Sequence, residues 1–96
     1  GMPEVLVDIN GRTHSISCSE GEEERVGYLS SLIGKEVSEI AGRVGQVGDI
    51  RLILLAAITV LDKSQELIDE ATVQIDKSAS EMEKIIEQLS DKRTNE

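Results

Sequence analysis

The chain has 96 residues, with no Phe, no Trp, one Tyr, one Cys, one Pro and one His. Aromatic side chains supply much of the buried area of ordinary cores. A chain whose sole aromatic is Tyr28 must therefore build its core from aliphatic residues, and a domain this small is marginal to begin with. Cys18 has no partner for an internal disulfide, which fits a reducing compartment. The longest apolar run, Leu52 to Leu61, contains Thr59 and is too short to span a bilayer. Gly1-Met2-Pro3 is not a basic segment followed by an apolar one, so no signal peptide is read there, and Gly1 before Met2 reads as a remnant of tag removal. Basic residues are also scarce: ten against nineteen acids, for a net charge of -9. An acidic surface repels phosphate, which argues against nucleic acid and membrane as partners. The surplus is shared, with nine acids and five bases in residues 1–61 and ten and five in residues 62–96.

What the sequence does have is a heptad ladder. Stepping by four and three gives Leu54, Ile58, Leu61, Gln65, Ile68, Thr72, Ile75, Ala79, Met82, Ile86 and Leu89. A stripe of period 3.5 needs another helix to cover it. The positions expected to drive self-association are Leu54, Ile58, Leu61, Ile68, Ile75, Met82, Ile86 and Leu89. Gln65 and Thr72 are either tolerated imperfections or devices that fix register and oligomer state. No Gly or Pro follows Ile50, so one helix can run to about Ser90, some 60 Å. An isolated globule of this mass is not that long; the pattern predicts a helix covered by another subunit.

Upstream, Val5, Val7 and Ile9 alternate with Leu6 and Asp8, and Ile16 and Cys18 alternate with Ser15 and Ser17. Between them stands Asn10-Gly11. That dipeptide between alternating runs is the strongest short hairpin signal, because a type I′ turn needs positive φ at both central residues. A two-residue loop pairs Ile9 with Arg12, Val7 with His14 and Val5 with Ile16. Ser19-Glu20-Gly21-Glu22 reads as a capping box, opening a helix from about Glu20 to about Gly42. Its apolar positions are Val26, Leu29, Ile33, Val37, Ile40 and Val44, with Leu32 beside them. Gly27 and Gly34 inside it cost about 1 kcal/mol each relative to Ala, which points to close approach by another element. Gly42, Gly45 and Gly48 form a connector, and Asp49 can cap the long helix. Residues 50–61 are apolar nearly all round and are expected to be buried on several sides, facing helix one, the hairpin and a second chain together. The predicted fold class is α+β: an N-terminal β-hairpin and helix packed as a small head, then a long C-terminal coiled-coil helix. The head is residues 1–61 (hairpin 4–18, helix 20–42, start of the long helix 49–61) and the coiled-coil stalk is residues 62–96.

Few residues invite chemistry. His14 falls on the apolar hairpin face with no acid or nucleophile indicated nearby, so it reads as a half-buried structural histidine. Cys18, four residues on, is about 13 Å away along a strand, too far for a shared metal. The Gly42 to Gly48 stretch lacks the Lys-Ser/Thr ending of a phosphate loop and follows no strand. No enzyme activity, metal or cofactor is expected. Arg12, at the hairpin tip of an acidic protein, is either a solvated strand-end arginine or an anchor for an acidic partner, since arginine is enriched at binding hot spots. Arg43 and Arg51 make a second basic pair across the connector, and Arg51 can pair with Asp49 or Glu39.

The stretches Val7-Asp8-Ile9-Asn10-Gly11-Arg12, Ile16-Ser17-Cys18 and Arg51-Leu52-Ile53-Leu54-Leu55-Ala56-Ala57-Ile58, followed by the heptads, resemble the bacterial cell-division protein ZapA family, in the same order and spacing over nearly the whole chain. The resemblance implies a cytoplasmic protein at the division site that binds FtsZ polymers and cross-links them at the Z-ring. It also implies a homodimer of heads, and a homotetramer through antiparallel stalks. It further implies that the arginine after the turn glycine, here Arg12, matters for FtsZ binding. The candidate FtsZ contacts are Arg12, Arg43, Asp49 and Arg51. Departures from the family are His14 and Ser15 where basic residues are common, and the connector glycines. The alternative is a coiled-coil scaffold or adaptor for another cytoplasmic partner.

Overall fold

A computed structural model describes residues 2–94; Gly1, and with it the tag-remnant reading, lies outside them. Two strands, β1 (Glu4–Ile9) and β2 (Arg12–Ser17), precede two helices, α1 (Glu23–Val44) and α2 (Asp49–Thr94). The fold is α+β with a long C-terminal helix. The chain divides into two compact units, Gly1–Asp62 and Lys63–Glu96.

The hairpin takes the register expected from its turn: Ile9 faces Arg12, Val7 faces His14 and Val5 faces Ile16. Asn10 at φ 53 and Gly11 at φ 78 supply the two positive angles. The Cys18 amide donates to the Pro3 carbonyl at 3.0 Å, extending the pairing one step past the strands.

Helix α1 begins later than the capping-box pattern suggests. Gly21 takes φ 86, a left-handed angle that no α-helix passes through, so residues 19–22 close as a turn with Glu22 N–H donating to the Ser19 carbonyl at 3.1 Å. The box is not formed: the cap residue is Glu22, without a side-chain cap bond. It is Glu23 whose carboxylate reaches back, accepting from the Gly21 amide. The acids Glu23 and Glu24 still occupy the first turn, where they offset the helix dipole. At the other end the helix runs through Gly42 to Val44. Gly45, at φ 84, closes it by donating to the Ala41 carbonyl at 2.8 Å.

The core of the first unit is aliphatic and small. Val7 and Ile9 of β1, Val37 and Ile40 of α1 and Leu52 and Ala56 of α2 form one buried cluster, with Val5, Ile33, Ala41 and Ile53 packed against it. Val37, Leu52 and Ala56 are completely buried. Leu52 and Ala56 are one helical turn apart, and with the half-buried Ile53 they form the narrow face that the start of α2 commits to the chain's own core. Residues 50–61 are therefore not enclosed on several sides within one chain: Ile50, Leu54, Leu55, Ile58 and Leu61 stay exposed. The same holds for Leu29, Leu32 and Val44 of α1 and for Tyr28, whose ring lies mostly in solvent. β2 is exposed along its whole length, so His14 is a surface residue and not half-buried.

The two interior glycines of α1 differ. A methyl group on Gly34 would meet the Asp8 carbonyl oxygen at 3.2 Å and Ile9 Cδ1 at 3.4 Å, whereas one on Gly27 would meet only Val5 Cγ1 at 3.9 Å. Gly34 is where the helix backbone closes on β1; Gly27 is not under that constraint. Gly27→Ala is expected to raise the unfolding free energy by about 0.5–1 kcal/mol through helix propensity. Gly34→Ala is expected to gain nothing or lose stability, because the strand carbonyl it would press on cannot yield freely. Urea titrations of both variants at one protein concentration measure the difference; equal gains would mean that helix and strand are not held at that point.

Candidate functional site

The hairpin turn meets the start of α2 in a polar cluster. Arg12, first residue of β2, donates through Nη1 to Asp49 Oδ2. Asn10 donates from Nδ2 to Asp49 Oδ1 at 2.9 Å and to Gln46 Oε1 at 2.8 Å, and Gln46 Nε2 returns a bond to Asn10 Oδ1 at 3.2 Å. Asp49 thus lies inside the first turn of α2 and does not cap it; both its carboxylate oxygens are used by the hairpin. Its place in that turn is still favourable, since a carboxylate there complements the helix dipole. The turn lies against the connector because Gly45 and Gly48, at φ 84 and φ 110, let the chain reverse between the helices.

This ion pair lies at the surface, with the Arg12 side chain 67% exposed and that of Asp49 27%. Solvent screens such a pair, and its contribution to stability is about 0–1 kcal/mol. Its interest is geometric. Arg12, Asp49 and Arg51 line one open cleft of about 540 Å³ whose apolar wall is Val47, Ile50 and Leu54. Ile50 is 78% exposed. The structure therefore brings together three of the four residues read from the sequence as partner contacts. Arg43, in the last turn of α1, is not in the cleft lining. Arg51 forms no ion pair among the described residues; the salt bridge at Asp49 is made by Arg12. Sequence reading missed Asn10 and Gln46: the first carries an obvious turn role, the second none, and they lie 36 positions apart.

A second, more apolar cleft of about 410 Å³ opens over the hairpin, between Val7, His14 and Ile16 on the strands and Ile33 and Ile53 on the helices. No cluster of His, Cys, Asp and Glu among the described residues could hold a metal ion. Cys18 is buried. Burial pushes its thiol pKa up, with Glu23 and Glu22 adding to the rise, so the thiol is held protonated and is a poor nucleophile.

The apolar ladder positions, three in the first unit and five in the second, are unpaired in the single chain. From Leu54 to Leu89 the eight are 57–69% exposed. The two polar steps satisfy themselves within the helix: Gln65 Nε2 donates to Asp69 Oδ1 at 3.0 Å and the Thr72 hydroxyl to the Ile68 carbonyl at 2.9 Å.

Residues 5–92 match the family described as cell division protein ZapA, a span that takes in nearly all of the hairpin and both helices and the whole ladder. The chain belongs to the ZapA family. It is accordingly a cell division protein. A solved structure from Pseudomonas aeruginosa PAO1, described as an unknown conserved bacterial protein, superposes with a TM-score of 0.67 over 97% of this chain and 98% of its own, at 16% identity. At that identity the likeness speaks for a shared fold. No curated protein matches the chain. No helix among the described residues is by itself long and apolar enough to cross a membrane.

Two outcomes follow for this ZapA-family chain. Arg12→Ala should lower the unfolding free energy by less than about 1 kcal/mol, as read by urea denaturation; a larger loss would make Arg12 a structural residue. For Cys18, a folded pKa above the unfolded one means that its contribution to stability is complete below the unfolded thiol's range, about 8.5, and is lost as pH rises through the folded value. Denaturation at pH 7 and in the alkaline range should show a decline that is smaller in Cys18→Ala.

Proposed function

We propose that this protein binds FtsZ and cross-links its protofilaments at the division site as a bivalent homotetramer. The observation that carries the reading is the exposed apolar ladder of α2 in a chain of the ZapA family. Fully burying one such aliphatic side chain is worth about 1.5–3 kcal/mol, and a lone helix with this stripe in water forgoes that gain. Residues 62–96 then act as a coiled-coil stalk, residues 1–61 as a head. Leu54, Ile58 and Leu61 contribute to a head dimer, and Ile68, Ile75, Met82, Ile86 and Leu89 join two dimers. The cleft over Val7, Ile16 and Ile53 is completed by the second head.

In this reading the cleft at the hairpin tip is the FtsZ contact. Arg12 and Arg51 supply cationic donors to an acidic partner surface, Asp49 orients Arg12, Arg43 adds charge nearby, and Ile50 offers apolar area. Bivalency makes weak single contacts effective, because the second engagement is intramolecular. The function is that of a cytoplasmic adaptor with no cofactor and no chemical step, and the acidic surface disfavours nucleic acid and membrane.

Two measurements test this. Ile75→Glu puts a charge into the seam and should cut the tetramer to a dimer and weaken bundling; a tetramer in sedimentation would move the interface elsewhere. Arg12→Glu should abolish co-sedimentation with FtsZ polymers while leaving the tetramer intact. Unchanged binding would remove Arg12 as anchor. If the unsubstituted protein neither bound FtsZ polymers nor raised their light scattering, the fold would instead serve as a scaffold for another partner.

A further inference from the structure

Asn10 occupies a turn position where Asn and Gly are interchangeable as far as the backbone is concerned, because both tolerate positive φ. Its side chain is nonetheless bonded across 36 and 39 positions of sequence, to Gln46 and Asp49. The two carboxamides bond each other reciprocally, and that pairing leaves Asn10 Nδ2 held against Asp49 Oδ1. The other oxygen, Oδ2, takes Nη1 of Arg12. The carboxylate is thereby fixed from one side by a neutral amide while it holds the guanidinium from the other.

We propose that Asn10 and Gln46 are positioning residues for Arg12, acting through Asp49 to aim the guanidinium at a carboxylate of the partner. This rests on the reading of Arg12 as the FtsZ anchor. With Nη1 committed to Asp49, the Nε–Nη2 edge remains, and that edge matches a carboxylate in bidentate geometry. An arginine two-thirds exposed would otherwise be free among many rotamers and would have to be ordered when the partner arrives. Holding it beforehand lowers that cost, and the ordering of one long side chain corresponds to about a three- to tenfold change in affinity. The cluster also explains why position 10 carries an amide: a carboxylate there would repel Asp49, and a cation would compete with Arg12 for it.

The test is co-sedimentation with FtsZ polymers, using Asn10→Gly, which keeps the turn, and Gln46→Ala, which leaves the turn sequence untouched. Each should weaken binding about three- to tenfold with the oligomeric state unchanged. Arg12→Lys keeps the charge but has no planar edge to aim; it should weaken binding, and adding Asn10→Gly to it should cause no further loss. Full binding by Asn10→Gly and Gln46→Ala would overturn the positioning role. So would a loss from Asn10→Gly that is equally large with and without the Arg12→Lys substitution. Full binding by Arg12→Lys would overturn it as well, by showing that no bidentate edge is used. The anchor reading itself stands or falls separately, with Arg12→Glu.

Discussion

The structure depends on a shortage of apolar bulk inside one chain and a surplus of apolar surface outside it. Without Phe or Trp, the first unit closes around Val7, Ile9, Val37, Ile40, Leu52 and Ala56, none larger than Leu. Small side chains form a dense core only if the backbones come close, and Gly34 against the Asp8 carbonyl is where that closeness is achieved. Even so, α2 gives this core only Leu52 and Ala56, with Ile53 packed at its edge. Ile50, Leu54, Leu55, Ile58 and Leu61 are unspent, and an exposed surface of that kind marks an interaction site. Self-association, in the proposed reading, is thus the completion of a core that the monomer begins.

The hairpin answers a related difficulty. A two-stranded ribbon is marginal in water, and β2 has no cover along its length. What holds the ribbon is one-sided: β1 packs its Val7 and Ile9 onto the helices, and the turn is tied by side-chain bonds to the connector. Polar and apolar attachments sit at the same end of the ribbon, because Ile9 and Asn10 are adjacent. The turn is consequently the best-anchored part of an otherwise open hairpin, a suitable place for a contact residue such as Arg12.

The sequence carried the hairpin register, the two helices and the exposed ladder because each rests on a local or periodic signal: Asn-Gly with alternation, the 3.6 period, the 3.5 period. It misled where one residue's backbone decided the matter. Gly21 at φ 86 dissolves the capping box that Ser19 and Glu22 spell out. Burial was less legible than position. His14 faces Val7 as the register requires, yet it is exposed, since facing a buried residue across a strand pair does not supply a layer above it. Gly27 and Gly34 looked equivalent as text, and only the path of β1 distinguishes them. The site was half readable. Arg12 was marked by its place at the tip and by the ZapA resemblance, whereas Asn10 and Gln46 meet only because the connector glycines fold position 46 back onto position 10.

Charge sets the terms on which such a site can work. At a net charge of -9, the long-range field of this protein repels any acidic surface, and a neutralised Arg12–Asp49 pair does little to reverse it at a distance. Exposed charges more than about 10 Å apart are largely screened at moderate salt, so the contact, not the field, governs affinity. Affinity then has to come from short-range terms: a guanidinium edge held ready, the exposed Ile50 beside it, and, in the proposed assembly, several copies acting together. A bare lysine patch would add attraction at long range and accept phosphate as readily as carboxylate. A few oriented arginines in an acidic frame favour a planar carboxylate at close quarters and leave polyanions at arm's length, which is the discrimination the proposed adaptor requires.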